Sequence, residues 1–230
     1  MRGIITQSNY IPWKGYFDAI SRADVFVIYD DMQYTRRDWR NRNIIKTHIG
    51  PKWLSIPVEV SGKYHQKICD VRVADKKWNR IHWEHVRHAY SKAGRFYQVR
   101  DWLQELFQKA NHEFLTDVNE YFIREVCAYL GVSVEIRRSS EFQLANGRNE
   151  RLVDLCVQLG IKTYITGPAA KSYIDENGFA EAGIRVNYLS YEGFMKYDQP
   201  FPPFVHNVSI VDLLCCVGSD SRNFALREDS

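Results

Sequence analysis

The spacing of apolar residues changes period along the chain, and each change marks an element. Gly3 to Thr6 and Val25 to Tyr29 are short apolar runs that end in polar clusters, as buried strands do. Lys14 to Arg22 lies between them and reads as a helix, with the second strand spanning 24–29. Trp53 to Val60 and Ile68 to Val73 read as an extended pair. From residue 78 the spacing becomes helical. Trp78, Ile81, His82, His85, Val86 and Ala89 recur at that period, followed by Phe96, Val99, Leu103, Leu106 and Ala110, and then by Leu115, Val118, Phe122, Val126 and Leu130. Gly94 and Gly131 suit the ends of the first and third of these helices, where a left-handed residue without a side chain is favoured.

After Gly131 the chain alternates: strand Val132 to Arg138, helix Asn149 to Leu159 stopped by Gly160, strand Thr163 to Thr166, a helix near 169–176, and strand Ile184 to Leu189. This order predicts an α/β fold, a mostly parallel sheet with helices on both faces and a Rossmann-like layout. Residues 76–131 read as a helical insertion within a single domain spanning 1–230. Gln199 to Phe204 holds too many prolines for a helix interior or a central strand. A helix follows, capped by Ser209, with Asp212 at its third position favouring the positive end of the dipole. Capping is preferred over catalysis for both residues. The chain has no internal repeat and no low-complexity segment.

The 230 residues suffice for a sizeable core. The net charge of +3 is small, but Arg36, Arg37, Arg40, Arg42, Lys46 and Lys52 face one acid, Asp38, within residues 36–52. That excess suits an anionic ligand better than a DNA duplex. The first residues form no apolar signal segment, and no run of about 20 apolar residues is present. A soluble, cytoplasmic protein without membrane insertion is expected. Cys69, Cys127, Cys156, Cys215 and Cys216 lack metal-ligand spacing and read as small hydrophobic residues. His82, His85 and His88 spread around a helix and read as surface residues, so no metal site is expected.

Three clusters are suited to chemistry. In the first, Tyr10, Trp13 and Tyr16 offer ring faces while Gln7 and Asn9 offer amides that can read the edge of a base or sugar. Tyr16 and Phe17 also suit the core side of the following helix. The second begins at the end of the second strand with Asp30, Asp31, Gln33 and Tyr34 and continues through Arg36, Trp39, Arg40, Asn41 and Arg42. Guanidinium forks match diphosphate oxygens, and Trp39 can cover a ring. Asp30 and Asp31 are the candidate general bases, with metal binding beside phosphates or anchoring of the arginines as alternatives. In the third, Gly167, Lys171 and Tyr173 follow a strand in a small-residue turn that can meet an anion. That turn is not a Walker A sequence, and no Gly-x-Gly-x-x-Gly, Gly-x-Ser-x-Gly or His-Glu-x-x-His motif occurs.

The run Gln7 to Asp18, then Asp24 to Tyr34, Arg40 to Asn43 and Ile45-Lys46, resembles the WbqC-like family. Tyr164 to Pro168 with Lys171 and Tyr173, Tyr191 with Tyr197 and Gln199, and Pro203-Phe204 with Asn207 and Ser209 to Leu214 extend the resemblance over nearly the whole chain. It implies a bacterial protein of surface-polysaccharide (O-antigen) biosynthesis, in a family with members described as glycine or aminoacyl transferases acting on amino sugars. Two positions depart from the pattern. His206 stands where a proline is usual, and Glu192-Gly193 where a histidine often follows the tyrosine. The opening strand, loop and helix are also weakly similar to the nucleotidylyltransferase superfamily, although Trp13-Lys14-Gly15-Tyr16 lacks the two histidines of that loop.

The leading expectation is a transferase that adds a glycyl or related acyl group to the amine of a nucleotide-linked amino sugar. Its donor would be activated glycine or another acyl group, with aminoacyl-tRNA as one source. A nucleotidyl- or adenylate-forming enzyme using ATP with magnesium is the second reading, and a non-catalytic nucleotide-sugar binding protein is the third. The sequence leaves the oligomeric state open.

Overall fold

A computed structural model describes residues 1–227. Its centre is a five-stranded parallel sheet built from β1 (Arg2–Thr6), β2 (Val25–Ile28), β5 (Glu135–Arg138), β6 (Thr163–Thr166) and β7 (Arg185–Tyr188), in the order β5-β2-β1-β6-β7. The α/β expectation therefore holds. Residue alternation divides the strands between two cores. Ile4, Phe26, Ile28 and Ile165 face one apolar cluster, while Ile5, Val25, Val27 and Tyr164 face the other.

On the first face lie α1 (Lys14–Ser21), α2 (Trp78–Tyr90), α3 (Phe96–Lys109), α4 (Leu115–Tyr129), α7 (Ile210–Val217) and the short α8 (Ser221–Ala225), which contribute Phe17, Val86, Leu103, Phe122, Leu214 and Ala225 to one continuous core. The second face is covered by α5 (Arg148–Gln158) and α6 (Glu176–Glu181) through Leu155, Cys156 and Phe179. The helices of 78–129 thus share their core with the sheet.

A separate antiparallel hairpin, β3 (Arg42–Thr47) and β4 (Gly50–Ser55), replaces the expected pairing of 53–60 with 68–73. Those two segments meet only at an isolated Val58–Val73 bridge and its flanking bonds from Glu59 N to Arg72 O and Ala74 N to Pro57 O. Pro57 has no N–H to extend the ladder, and Ile68–Asp70 forms a 3₁₀ turn. Strand β5 starts at Glu135 because Val132 N closes on Cys127 O and Gly131 N on Ala128 O, with Gly131 at φ +64°. Gly94 has no such role. Helix α2 ends at Tyr90, and Gly94 sits in the turn before α3 without left-handed backbone. The helix expected near 169–176 is a 3₁₀ turn at Pro168–Ser172 followed by α6.

His82 is buried, contrary to its surface reading, and its Nδ1 lies 2.8 Å from the Tyr10 hydroxyl. Burial lowers its pKa to about 4, against a raising influence from the Ser55 backbone. Cys127, Cys156, Cys215 and Cys216 are free and buried, as small hydrophobic residues are.

Candidate functional site

Strand β1 is central, with β2 on one side and β6 on the other, so the chain reverses its winding direction between β1 and β6. Ligands of open parallel sheets bind beyond the strand carboxyl ends at such a reversal. From that edge of β1 leaves Gln7–Trp13; from β6 leaves Gly167. A Cβ on Gly167 would come within 3.0 Å of the Tyr191 hydroxyl, so the missing side chain admits that tyrosine. Tyr191 and Phe194 pack edge-on against Trp13, at 5.1 and 5.6 Å between centroids. The indole of Trp13 in turn lies over Gly15, whose absent Cβ would stand 2.3 Å from it. Glycine at 15 is thus what lets Trp13 fold back beside α1.

Next to this aromatic group opens a cavity of about 190 Å³ lined by Asn9, Pro12, Trp13, Trp39, Asn43 and Asn207. Asn43 is buried, donates through Nδ2 to the Tyr10 and Ile11 carbonyls at 3.0 Å each, and accepts from Ile44 N. It holds the opening loop against β3. The loop carrying Trp39 is fixed by Tyr10 N donating to Trp39 O and by the Asn119 amide donating to Arg40 O. Arg40 donates to Ser8 O at 3.2 Å and pairs with Asp38 at 3.6 Å.

Among the described residues, seven buried side-chain polar atoms have no hydrogen-bond partner; Asn9 Oδ1 belongs to the cavity wall, Arg40 Nε, Asn41 Oδ1 and Arg42 Nε to the segment that follows Trp39, and Asn119 Oδ1 to the residue that bonds that segment at Arg40 O. Unpaired buried groups are costly and rare, so these call for a physical reason. A polar ligand is one.

Other expected site residues have different positions. Asp30 is buried, and its carboxylate accepts from Ser8 N at 2.8 Å, Ser8 Oγ at 2.6 Å and Thr116 Oγ1 at 2.5 Å. Burial pushes its pKa up, and the Ser8 and Thr116 donors oppose the rise. Asp31 accepts from Ser139 Oγ and pairs with Lys67 at 3.4 Å. Neither aspartate lines the cavity. Both border a separate hollow of about 30 Å³ with Thr116, Arg138 and Ser139; a general base must reach the proton it removes, so neither is placed to act within this cavity.

Tyr10 and Tyr16 belong to the core. Tyr10 packs against Trp78 and Phe122, and the Tyr16 hydroxyl donates to Gln7 O. Gln7 follows β1, partly buried and outside the cavity wall. Gln33, Tyr34 and Arg36 line a separate hollow of about 330 Å³ with Lys63 and Tyr64. Asn41 donates to Ile56 O. Lys171 lies over the Tyr188 ring and Tyr173 beneath Arg148, both outside the cavity wall. Tyr197 donates to Asp212 at 2.7 Å. The Ser209 hydroxyl caps α7 as expected, accepting from Val211 N while donating to Ile11 O. Asp212 also accepts from Tyr90 and Gln199, making it the centre of a buried network.

The sequence reading missed Asn43 as a cavity residue. Its signal was an amide immediately before Ile44-Ile45, where a buried polar group needs partners.

The family model of WbqC-like proteins matches residues 7–224. The chain belongs to the WbqC-like family. The match covers every cavity residue and every strand of the parallel sheet except β1. This WbqC-like chain is also 44% identical over 220 residues to Rv1507c, an uncharacterized protein of Mycobacterium tuberculosis, spanning 96% of this chain and 95% of that protein. No solved structure matches it significantly. No helix among the described residues is long and apolar enough to cross a membrane.

Proposed function

We propose that this WbqC-like chain is a cytoplasmic transferase of surface-polysaccharide biosynthesis that adds a glycyl or related acyl group to the amine of a nucleotide-linked amino sugar. The observation that carries this reading is the cavity between Trp13 and Trp39, whose wall also holds Asn9, Asn43 and Asn207, with Asn9 Oδ1 unpaired. Indole faces suit the apolar face of a sugar ring, amides suit its hydroxyls, and guanidinium groups suit the diphosphate.

In the reaction the sugar nitrogen forms a bond to the acyl carbon. The bond from that carbon to its carrier breaks, the carrier leaves with the electron pair, and the ammonium proton passes to a base. Asp30, Asp31 and His206 all lie outside the cavity wall; the proposal takes His206, adjacent in sequence to Asn207 of that wall, as the base because its side chain is exposed, whereas Asp30 is buried and held by Ser8 and Thr116. His206 is exposed, and partial burial with nearby Lys14 and Lys196 lowers its pKa, which leaves its ring neutral and able to accept a proton near pH 7.

Calorimetric titration with nucleotide-linked 3-amino and 4-amino deoxysugars, followed by a transfer assay with labelled glycine donors, tests this function. A ligand that requires both its amine and its diphosphate for binding is the expected result. A silent panel together with ATP–magnesium binding and pyrophosphate release would replace the proposal with an adenylate-forming reaction.

A further inference from the structure

The cavity of about 190 Å³ is smaller than the roughly 300–1,000 Å³ of sites that enclose a drug-sized ligand. It has room for one ring, so the remainder of a nucleoside-diphosphate sugar must lie outside it. The adjoining surface is unusual. Trp39, one wall of the cavity, is 39% exposed, and its centroid lies 5.2 Å from that of Trp53, which is 42% exposed, with the two planes inclined by 39°.

Trp53 stands on β4 opposite Ile44 of β3, and the Arg42 guanidinium lies 4.1 Å from its ring centroid. Indoles are on average well buried, so two exposed side by side, at the mouth of a cavity, are a costly surface to leave open to water. A guanidinium stacked on an indole keeps its N–H groups in its own plane, where oxyanions meet them edge-on. One Nη of Arg42 donates to Arg37 O and its Nε has no partner.

We propose that Trp39 and Trp53 form a stacking platform for the nucleobase of a nucleoside diphosphate, with Arg42 meeting the diphosphate between the base outside and the sugar ring in the cavity. The assignment rests on the proposed reading of the cavity as a sugar site. It gives a role to Trp53, which no sequence motif had marked, and to the packing of the Arg42 guanidinium over its ring. Stacking selects a flat ring and carries little information about which base is bound. Discrimination among nucleotides on this platform is therefore expected to be weak, and discrimination among sugars strong.

The test uses the full chain and three probes, inorganic pyrophosphate, UDP and TDP, titrated by calorimetry with tryptophan fluorescence in parallel. In the unaltered protein both nucleotides bind about 10-fold or more tighter than pyrophosphate and quench indole emission, since one base stacked on an aromatic platform contributes that much. Trp53→Ala lowers nucleotide affinity by roughly 10- to 100-fold and lowers pyrophosphate binding by a smaller factor, because Arg42 loses the ring it packs on but keeps its charge. Circular dichroism checks that the variant is folded, and the comparison of probes in the unaltered protein needs no variant. Equal affinity for UDP and pyrophosphate would overturn the platform, as would unchanged UDP binding by folded Trp53→Ala. If Trp53→Ala still takes up the full nucleotide sugar as the unaltered protein does, the platform fails and the cavity reading stands; if no sugar nucleotide binds the unaltered protein, both fail. A short single-stranded RNA that binds more tightly than UDP would also overturn the proposal, assigning the indoles to an RNA end instead.

Discussion

Two polar regions of the opening block lie a few residues apart and have been built in opposite ways. Around Asp30, Ser8 and Thr116 supply donors to both carboxylate oxygens, and Asn119 in turn donates to Ser8. In the second, Asn9 Oδ1 in the cavity wall and Arg40 Nε and Arg42 Nε in the segment after Trp39 are left without partners. A satisfied buried network fixes geometry, whereas an unsatisfied one is a strain that a ligand can relieve. The first region holds the opening loop, β2 and α4 together and so fixes the backbone on which the second is built. Sequence alone makes Asp30 look like the chemical centre. Its partners, Ser8 and Thr116, give it a structural hold on the opening loop and α4.

The sharpest way to break this comparison is Asp30→Asn. The amide turns one acceptor into a donor facing other donors, and the buried network should lose about 3 kcal/mol. For a chain of this length that lowers the melting temperature by roughly 6–12 °C. Thermal melting checks it, and an unchanged melting temperature would mean that the network is not structural.

The second prediction concerns acid. His82 belongs to the closed side, bonded to Tyr10, and its folded pKa of about 4 lies below the ordinary 6.5. A base whose folded pKa is depressed contributes fully above its unfolded value, so stability is retained above pH 6.5 and falls between there and pH 4. The loss approaches about 3 kcal/mol at the acid end. Denaturant melts of His82→Gln should show a flatter pH dependence across that window, and a curve identical to that of the unaltered protein would contradict the assignment.

On the open side the expected effects appear in binding rather than folding. Trp39→Ala should weaken ligand binding by roughly 10- to 100-fold while moving the melting temperature by less than about 2 °C, because an indole on the surface contributes to recognition more than to the core. Calorimetry and melting on the same preparation separate the two. A large stability loss would place Trp39 with the anchors. The smallest effect is that of Tyr197→Phe, which removes one of three side-chain donors to Asp212 and should cost about 1 kcal/mol. Denaturant unfolding measures it, and a loss of ligand affinity without destabilisation would move Tyr197 to the open side.

How much of this was legible in the sequence follows from what each signal encodes. Strands β1, β2 and β6 and helices α1 to α5 and α7 were readable because burial imposes a period on apolar residues, whereas the short α6 and α8 were not. Nor was the β3–β4 hairpin. It turns at His48-Ile49, between Thr47 and Gly50, which lacks the Asn-Gly type of signature that marks two-residue turns. Arg42 and Lys46 also break the apolar alternation of the first strand, since Lys46 is buried by bonding to Gln199 and Pro203 rather than by being apolar.

For the site, Asn9, Trp13, Trp39 and Asn207 were all marked by their clusters or by the family pattern, and the fold brings them to one cavity. Gln33, Tyr34 and Arg36, close to Trp39 in sequence, face another hollow. Residue type and spacing cannot reveal which donors a carboxylate has found or which side of a loop a ring occupies. The donors around Asp30 were hidden for the first reason, and Trp53 escaped notice for the second.

The most direct test is a crystal structure with a nucleoside-diphosphate amino sugar bound. The account predicts the amino sugar ring between Trp13 and Trp39, with Asn9 Oδ1 accepting a hydrogen bond from it and Asp30 still bonded to Ser8 and Thr116. A ligand seated in the hollow of Gln33 and Tyr64, or one contacting the Asp30 carboxylate directly, would contradict it.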